Sequence, residues 1–170
     1  MTDSPRGGGW ATLKAWEIEL GYYVGMHRSH FAVCERLQHL DKATSDFGGP
    51  NLHICGALGE IAVANYLNLY WSSGWGDLNA PDVGFCVEVR ATNVIDGHLI
   101  ITPRDVDQKI FVLARVCDVW LPRIQLPGWC RAVDGKKDEF RRAAPGRPAQ
   151  FYVPQSQLEP IDALMVRITP

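Results

Sequence analysis

The sequence lacks the short motifs that mark several large enzyme classes. It contains no GxGxxG and no GxxxxGK[ST] sequence, which argues against the common dinucleotide and triphosphate sites. It has no GxSxG turn and no CxxC pair, so serine-hydrolase chemistry and a CxxC metal or redox site are unsupported as well. No stretch approaches the ~20 apolar residues of a membrane span. The N-terminal MTDSPRGGGW has no apolar signal core.

The composition is that of an ordinary globular domain without a strong charge of either sign. The 170 residues are 46% hydrophobic and 21% charged, which is typical of a single domain with a sizeable core. We expect residues 1–9 to form a flexible leader, because they are rich in glycine, and residues 10–170 to form the domain. The net charge of −2 offers no general attraction for polyanions, so a nucleic-acid partner would require a local basic patch.

The cysteines favour a reducing compartment. They are odd in number and far apart, and most lie within apolar runs: Cys34, Cys55, Cys86, Cys117 and Cys130. This pattern predicts buried free thiols rather than a disulfide framework. Together with the absent signal core, it predicts a cytoplasmic protein.

Helical spacing of apolar residues predicts two helices in the first half of the chain. Thr12 is placed to cap a first helix, whose apolar stripe is formed by Leu13, Trp16, Leu20, Val24, Phe31 and Cys34. Gly21 and Gly25 predict a kink or break in it, and residues 47–50 predict its end. Asn51 is placed to cap a second helix over His53–Asn68 that is apolar nearly all round and therefore buried on several sides.

Strand-like patterns follow from residue 80 onward. Phe85, Val87 and Val89 alternate with Cys86, Glu88 and Arg90, which predicts a strand with two distinct faces. Residues 110–116 form a continuous apolar run, which is typical of a buried central strand. Shorter strands are expected at 99–102, 129–133 and 151–153, before a turn-rich tail at 154–161. These elements, without an internal repeat, predict a single α/β domain.

Three acids between residues 56 and 90 are the strongest candidates for a functional site. Glu60 lies on the apolar second helix, and its neighbours at i−4 and i+4, Gly56 and Ala64, leave room for a ligand. The alternative is a structural role at a solvated edge or in a pair with an arginine, and this is the simpler interpretation of Glu60 taken alone. Asp82 and Glu88 would be about 20 Å apart on a straight strand, so sharing one ion requires a turn between them, which Gly84 permits.

The sequence GALGE on a helix, followed by PDVG and EVR on a strand hairpin, resembles the PD-(D/E)xK, or restriction-endonuclease-like, nuclease superfamily. Glu60 matches the helical acid of that family, Pro81-Asp82 the PD, Glu88 the second acid and Arg90 the lysine. The resemblance covers about 35 residues, with residues 110–116 resembling a later core strand. The layout also looks like that of small nuclease-like proteins of phage genomes.

The resemblance implies an α/β domain with a mixed central sheet flanked by helices, and a Mg²⁺- or Mn²⁺-dependent nuclease that cleaves phosphodiester bonds, DNA being favoured. Asp82 and Glu88 would hold the metal ion, Glu60 would assist directly or through water, and Arg90 would stabilise phosphate charge. If phage-encoded, the protein would act in the host cytoplasm. Because many nucleases of this fold are dimers, a homodimer is also expected.

Arginine at position 90 opens an alternative. Arginine stays protonated at any relevant pH, so it stabilises phosphate charge but cannot act as a general base. If the reaction needs a lysine, Lys109 is the nearest candidate. Otherwise the chain is a catalytically inactive relative that binds DNA or serves a regulatory role.

A basic segment over residues 123–147 is the expected nucleic-acid contact. It reads as a surface loop with seven basic residues against three acids. Such a loop would bind phosphates without sequence preference, although an ordinary solvated loop fits the pattern equally well. The candidate residues, with one from the preceding loop, are Arg104, Arg131, Lys136, Lys137, Arg141, Arg142 and Arg147.

One further alternative is a small zinc-stabilised interaction protein. His27, His30 and Cys34 have the spacing of one helix face, and zinc accepts these ligands. His27 lies in the expected apolar stripe beside Phe31, so a packed core histidine is the simpler interpretation. Among the six tryptophans, Trp71 and Trp75 precede Asp82 and are the ones expected near a substrate groove.

Overall fold

The computed structural model describes residues 8–34, 50–73, 80–143 and 148–168, without the side chains of residues 32–34 and 166–168. Within these ranges the chain is a mixed α/β structure. The strands are β1 Gly9–Thr12, β2 Val87–Thr92, β3 Leu99–Ile101, β4 Ile110–Arg115, β5 Arg123–Arg131, β6 Arg141–Arg142 and β7 Gln150–Val153. The helices are α1 Ala15–Cys34, α2 Pro50–Leu67, the single-turn α3 Ala132–Gly135 and α4 Ile161–Ile168.

The main sheet has the strand order β1-β5-β4-β2 and is mixed, as predicted. β2 and β4 run parallel, whereas β5 is antiparallel to both β4 and β1. β4 is buried between β2 and β5, which confirms the predicted central strand. The second sheet, β3-β7-β6, is antiparallel throughout.

The two faces of the main sheet are covered by different layers. Val89, Ala91 and Ala114 face helix α2, which has Gly59 at the point of closest approach. Phe111 and Leu113, which alternate with these positions, pack instead against the second sheet. One face of the main sheet is therefore covered by helices and the other by a small sheet, so that two separate cores share β4.

The predicted kink in α1 is wrong, because Gly21 and Gly25 serve close packing of an unbroken helix. A Cβ atom at Gly25 would lie 2.5 Å from the Ile54 Cα atom, and one at Gly21 would lie 2.5 Å from Leu58 Cδ2. The missing side chains let α2 approach the backbone of α1. The helix propensity lost at each glycine is offset by this contact.

The start of α1 also differs from the prediction. Thr12 is the last residue of β1 and not a helix cap, and Gly9, from the expected leader, is the first residue of that strand. The helix begins at Ala15, where the Lys14 N–H donates to Glu17 Oε2 at 2.6 Å and thereby satisfies a terminal donor. Residues 1–7 lie outside the described ranges, as do residues 47–49 of the predicted helix end.

The predicted apolar stripe of α1 is wrong in part. Leu13 and Val24 are buried, but Trp16, Leu20 and Phe31 are exposed. The buried stripe is rotated toward the glycines that contact α2, so His27 is an exposed residue and not a packed core histidine. The pattern of charged residues does not predict this rotation, because the buried face of the helix includes an acid, Glu17.

Helix α2 follows the prediction closely in its character, with a shifted start. It begins at Pro50, where a missing N–H costs nothing in a first turn, and not after Asn51. It is buried along nearly its whole length, as its all-round apolar pattern predicted. In β2, Val87 and Val89 share a buried face as expected, whereas Phe85 is 99% exposed in the preceding turn.

The expected surface loop over residues 123–147 is wrong in its described part. Residues 123–131 form β5, which pairs with both β1 and β4, and residues 132–142 add α3, a 3-10 turn and β6. The basic residues at the strand ends and the Pro127-Gly128 pair obscured the buried positions Ile124 and Leu126. The predicted turn-rich tail holds as far as residue 160. It is followed by helix α4, which was not predicted and whose Ile161 and Leu164 are buried in the helix-side core.

A bulge interrupts β5 at its centre. Leu113 of β4 pairs with Gly128, but Arg115, two residues later, pairs with Gln125, three residues earlier. The extra residue in β5 reverses which face its side chains take. Leu126 consequently joins the helix-side core, whereas Cys130 joins the core beneath the second sheet.

No helix within the described residues is long and apolar enough to cross a membrane.

Candidate functional site

A tight turn at Gly84 brings Asp82 and Glu88 together, as the sequence predicted. Val83 and Val87 exchange backbone hydrogen bonds of 3.0 and 3.2 Å, and Gly84 has a φ of +59°. One step outward in this antiparallel register places Asp82 opposite Glu88, in a pair whose side chains leave the same face. The six-residue separation along the sequence is therefore a cross-strand contact.

Asp82 covers the free edge of the main sheet at β2. Its Oδ2 atom accepts a hydrogen bond of 2.8 Å from the backbone N–H of Val89. Burial, together with the negative charges of Glu60 and Glu88, raises the pKa of Asp82 to about 7, against the opposing effects of the Val89 N–H and of Arg90. Asp82 thus lies within electrostatic range of both other candidate acids.

Glu88 carries a lysine partner that does not come from its own strand. Lys109 Nζ lies 2.5 Å from Glu88 Oε1, and the lysine side chain is one-third exposed. Lys109 immediately precedes β4, whose Ile110 N–H donates to the Cys86 carbonyl. The parallel pairing of β2 and β4 therefore brings Lys109 beside Glu88. Lys109 is the residue that the sequence indicated as the candidate lysine, since position 90 is an arginine.

Arg90 lies on the same face of β2 as Glu88 and points along the sheet surface. Its guanidinium carbon lies 4.9 Å from the centre of the Phe111 ring, and Nη2 lies 3.7 Å from Asp105 Oδ1. The side chain remains about one-third exposed. This geometry leaves guanidinium donors available to a phosphate.

Glu60 is held differently from the other two acids. Arg28 of α1 donates to both of its carboxylate oxygens at 2.7 Å, and Trp71 Nε1 donates to Oε2 at 2.9 Å. Arg28 also donates to the Ser73 carbonyl at 2.7 Å. Burial lowers the pKa of Arg28, but the hydrogen bonds and charge of Glu60 outweigh this and raise it. The sequence left open whether Glu60 meets a ligand or has a structural role, and the structure shows it paired with an arginine.

The described residues contain no group of three His, Cys, Asp or Glu side chains arranged to hold a metal ion. Glu60 lies on the helix side of the main sheet, whereas Glu88 and Asp82 pair across the turn on the other side, where Asp82 also accepts the hydrogen bond from the Val89 N–H. A bivalent cation here would have Asp82 and Glu88 as protein ligands and would take its other ligands from water and phosphate. His27 and His30 are exposed on α1, and the Cys34 side chain lies outside the described residues.

The candidate phosphate-binding residues fall into two groups. Arg104, Arg131, Lys137, Arg141 and Arg142 have exposed side chains. Lys136 is engaged in the structure itself: its Nζ donates to the Asp105 carbonyl and to Asp107 Oδ1, the latter at 2.7 Å. It fastens the loop that carries Arg90's partner Asp105 and the site residue Lys109. Arg147 and Trp75 lie outside the described residues.

One residue of this region, Arg28, was not singled out from the sequence. Only its spacing from Gly25, on the face that meets α2, could have indicated a partner there. Lys136 was predicted as a phosphate contact in a surface loop, whereas the structure has it bound to the Asp105 carbonyl and Asp107. The expectation of buried thiols holds for Cys55 and Cys130 but not for Cys86 and Cys117, which are exposed.

No protein-family model, no curated protein and no solved structure matches this chain. The resemblance of residues 56–90 to PD-(D/E)xK nucleases consequently stays a prediction from the motif.

Proposed function

We propose that this protein is a nuclease of the restriction-endonuclease-like type that hydrolyses nucleic-acid phosphodiester bonds, with DNA as the favoured substrate and Mg²⁺ or Mn²⁺ as cofactor. The observation that carries the proposal is the opposed pair Asp82 and Glu88, joined to Lys109 and flanked by Arg90 at the edge of the main sheet. Two carboxylates beside two cations are the groups that in-line attack on a phosphodiester requires.

A bivalent cation fits this pair on electrostatic grounds. The pKa of Asp82, raised to about 7, shows that its negative charge is under-compensated by the residues around it. Mg²⁺ is commonly bound through one or two carboxylates together with water and phosphate oxygens, so a third protein ligand is not required. When bound, the metal would orient a water and neutralise developing charge.

The residues of the chain divide the remaining work. Lys109 and Arg90 would bind the non-bridging oxygens of the scissile phosphate, and Arg90 would do so in a fixed plane because it lies over Phe111. Lys109, hydrogen-bonded to Glu88, would be the group that exchanges a proton with the attacking water, and it would have to be neutral to accept one. Glu60 would act indirectly, through the charge it places near Asp82 and the α1 contact it secures.

The test is cleavage of plasmid, single-stranded and branched DNA with and without Mg²⁺ or Mn²⁺. We expect metal-dependent cleavage that the double substitution Asp82→Asn and Glu88→Gln abolishes. Cleavage that survives this double substitution would contradict the site assignment. The matched control is Asp96→Asn, a carboxylate in the exposed β2–β3 turn, which we expect to cleave normally.

A second candidate function is a catalytically inactive nuclease-fold protein that binds DNA. Two observations favour it. Both carboxylate oxygens of Glu60 are hydrogen-bonded to Arg28, and the described residues contain no group of three metal ligands. Salt-sensitive DNA binding without metal-dependent cleavage would identify this case. A cytoplasmic location and a homodimer remain parts of the proposal that fractionation and sedimentation would test.

A further inference from the structure

A second surface, on the main sheet away from Asp82, combines an exposed tryptophan with two arginines. The pairing registers align one residue from each of the four strands in a transverse row: Thr92 pairs with Arg115, Arg115 with Gln125, and Gln125 with Trp10. All four lie on the face opposite the helices, because the alternate positions Ala11, Ile124 and Ala114 belong to the helix-side core.

The tryptophan of this row is open to solvent and already binds a cation. Trp10 is 46% exposed, and the guanidinium carbon of Arg123 lies 4.7 Å from the centre of its ring. Arg123 is itself exposed at the start of β5. An aromatic ring with an arginine over it is the arrangement on which unpaired bases stack in single-strand-binding proteins.

The charge of the second arginine, Arg115, is not compensated by any carboxylate among the described residues. Arg115 Nη1 donates to Gln125 Oε1 at 2.5 Å, and its buried Nε–H finds no acceptor in the part of the chain that the structure describes. Neither Arg115 nor Arg123 forms an ion pair with a described carboxylate. A guanidinium held in place by an amide and lacking a counter-ion is suited to an anion such as a phosphate.

We infer that the Trp10 surface, made of Trp10, Arg123 and Arg115 and supported from beneath by the buried Gln125, binds a single-stranded nucleic acid. The base stacks on Trp10, and the phosphates meet Arg123 and Arg115. Arg115 and Trp10 are two strand spacings apart, roughly 10 Å, which is about three nucleotides at the ~3.4 Å rise of one strand. A duplex does not fit, because its bases are already stacked on each other.

The position of the surface suggests how it relates to the proposed site. Thr92, at the end of the row, follows Glu88 by four residues on the same face of β2, a distance of roughly 13 Å. Because the row runs across the strands and ends at β2, a nucleic acid lying on it would have to bend at Thr92 and follow β2 to reach Glu88 and Lys109. The inference itself does not depend on cleavage, since binding can be measured in a metal-free protein that cuts nothing.

The experiment measures fluorescence anisotropy of a labelled oligothymidine in EDTA, over a range of salt concentrations. We expect Trp10→Leu to weaken binding about tenfold and Trp10→Phe to restore most of it. Arg123→Gln should weaken binding and lower the salt slope by about 0.7, the value for one phosphate contact on a single strand. Arg123 is exposed, so this variant avoids the folding risk of Arg115→Gln.

Two controls make the result specific. Trp120→Leu removes a tryptophan that is more exposed but is stacked on Tyr22 on the helix side, and it should leave binding unchanged. An abasic oligonucleotide of equal length should lose its sensitivity to Trp10→Leu while keeping its sensitivity to Arg123→Gln, because only the phosphates remain.

The inference would be overturned if Trp10→Leu and Arg123→Gln both bound oligothymidine as tightly as the wild type. It would also be overturned if Trp120→Leu lost as much affinity as Trp10→Leu. Self-association that Trp10→Leu abolishes, without any oligothymidine binding, would also overturn it and assign the surface to a second copy of the chain. Failure of cleavage under all conditions would contradict only the proposed nuclease function, because the binding assay contains no metal ion.

Discussion

Glu60 and Asp82 are neighbouring carboxylates that differ in how far the surrounding residues compensate their negative charge. Glu60 is buried and receives three hydrogen bonds, two from Arg28 and one from Trp71. Among the described residues Asp82 receives one hydrogen bond, from the Val89 N–H, and its pKa is raised to about 7 by burial and by the other acids. The first carboxylate is saturated by the protein, whereas the second still favours binding a proton or a cation.

This difference distinguishes two uses of an acid in a fold. A carboxylate whose donors all come from the chain ties elements together, here α1, α2 and the segment after α2. A carboxylate that lacks compensation is costly to the folded state but available to a ligand. A motif made of both kinds looks uniform in the sequence, because residue type does not reveal how many donors surround each acid.

The largest effect is expected where the saturated carboxylate loses its partner. Arg28→Ala leaves Glu60 buried without a counter-ion and should lower the free energy of unfolding by about 3 kcal/mol. Urea denaturation measures this change. Arg104→Ala, at an exposed arginine, should alter it by no more than about 0.5 kcal/mol. Equal stability of the two variants would show that Glu60 is not held as described.

The next effect concerns the cation beside the open pair. If the proposed function holds, Lys109→Met should lower the single-turnover cleavage rate about a hundredfold, since it removes the group proposed to bind the phosphate and to exchange a proton. Lys137→Met, at an exposed lysine over Phe140, should weaken DNA binding at most and leave the rate at saturating protein unchanged. A full rate in Lys109→Met would exclude the lysine from the chemistry.

Stability against pH should reveal the uncompensated carboxylate directly. Because the folded-state pKa of Asp82 is about 7, above its ordinary value of 3.8, the folded protein holds a proton that the unfolded chain has lost. Stability should therefore fall as pH rises from about 4 to about 7 and level off above. Asp82→Asn should remove this fall and be more stable than wild type at pH 8 by about 2 kcal/mol.

Added Mg²⁺ provides the control for this titration. At pH 8 it should raise the melting temperature of the wild type and have no effect on Asp82→Asn, since a ligand that binds only the folded state stabilises it. A melting temperature that ignores Mg²⁺ in both proteins would mean that the pair holds a proton and not a metal.

The smallest effect is expected at the turn that joins the pair. Gly84→Ala places a side chain at a φ of +59°, 3.1 Å from Leu69 Cδ1, and should cost about 1 kcal/mol in stability. The matched control is Gly56→Ala, where an added Cβ meets only Glu60 Oε1 at 4.0 Å and helix propensity favours alanine. Thermal unfolding that ranks the two variants in the reverse order would contradict the role of the turn.

The sequence predicted best where local chemistry and burial agree. The apolar run of β4 and the all-round apolar α2 reveal their environment without reference to any partner. The turn at Gly84 was predicted as the condition for Asp82 and Glu88 to share one ion; the turn is confirmed by the hydrogen bonds between Val83 and Val87, and the shared ion stays a proposal. These predictions needed information from only a few adjacent residues.

Predictions failed where a distant partner decided the outcome. Gly25 reads as a helix breaker until Ile54 of α2 is placed against it. Arg123–Arg131 reads as a loop until β1 and β4 pair on either side. Lys136 reads as a free cation until the loop carrying Asp107 folds over it. In each case the structure depends on a partner more than 25 positions away in the sequence. The pairing of β5 with β4 is the exception, because these strands are closer along the chain.

The bulge at Pro127 lets β5 hold one residue more than its register with β4 requires. Leu126 and Trp129 are three positions apart, yet both lie in the helix-side core, which even alternation would not permit. Deleting one residue between them should remove the bulge and restore even alternation, with Trp129 still toward the helices and Cys130 still beneath the second sheet. Chains that fold alike can therefore differ by one residue between Leu126 and Trp129 without exchanging the contents of the two cores.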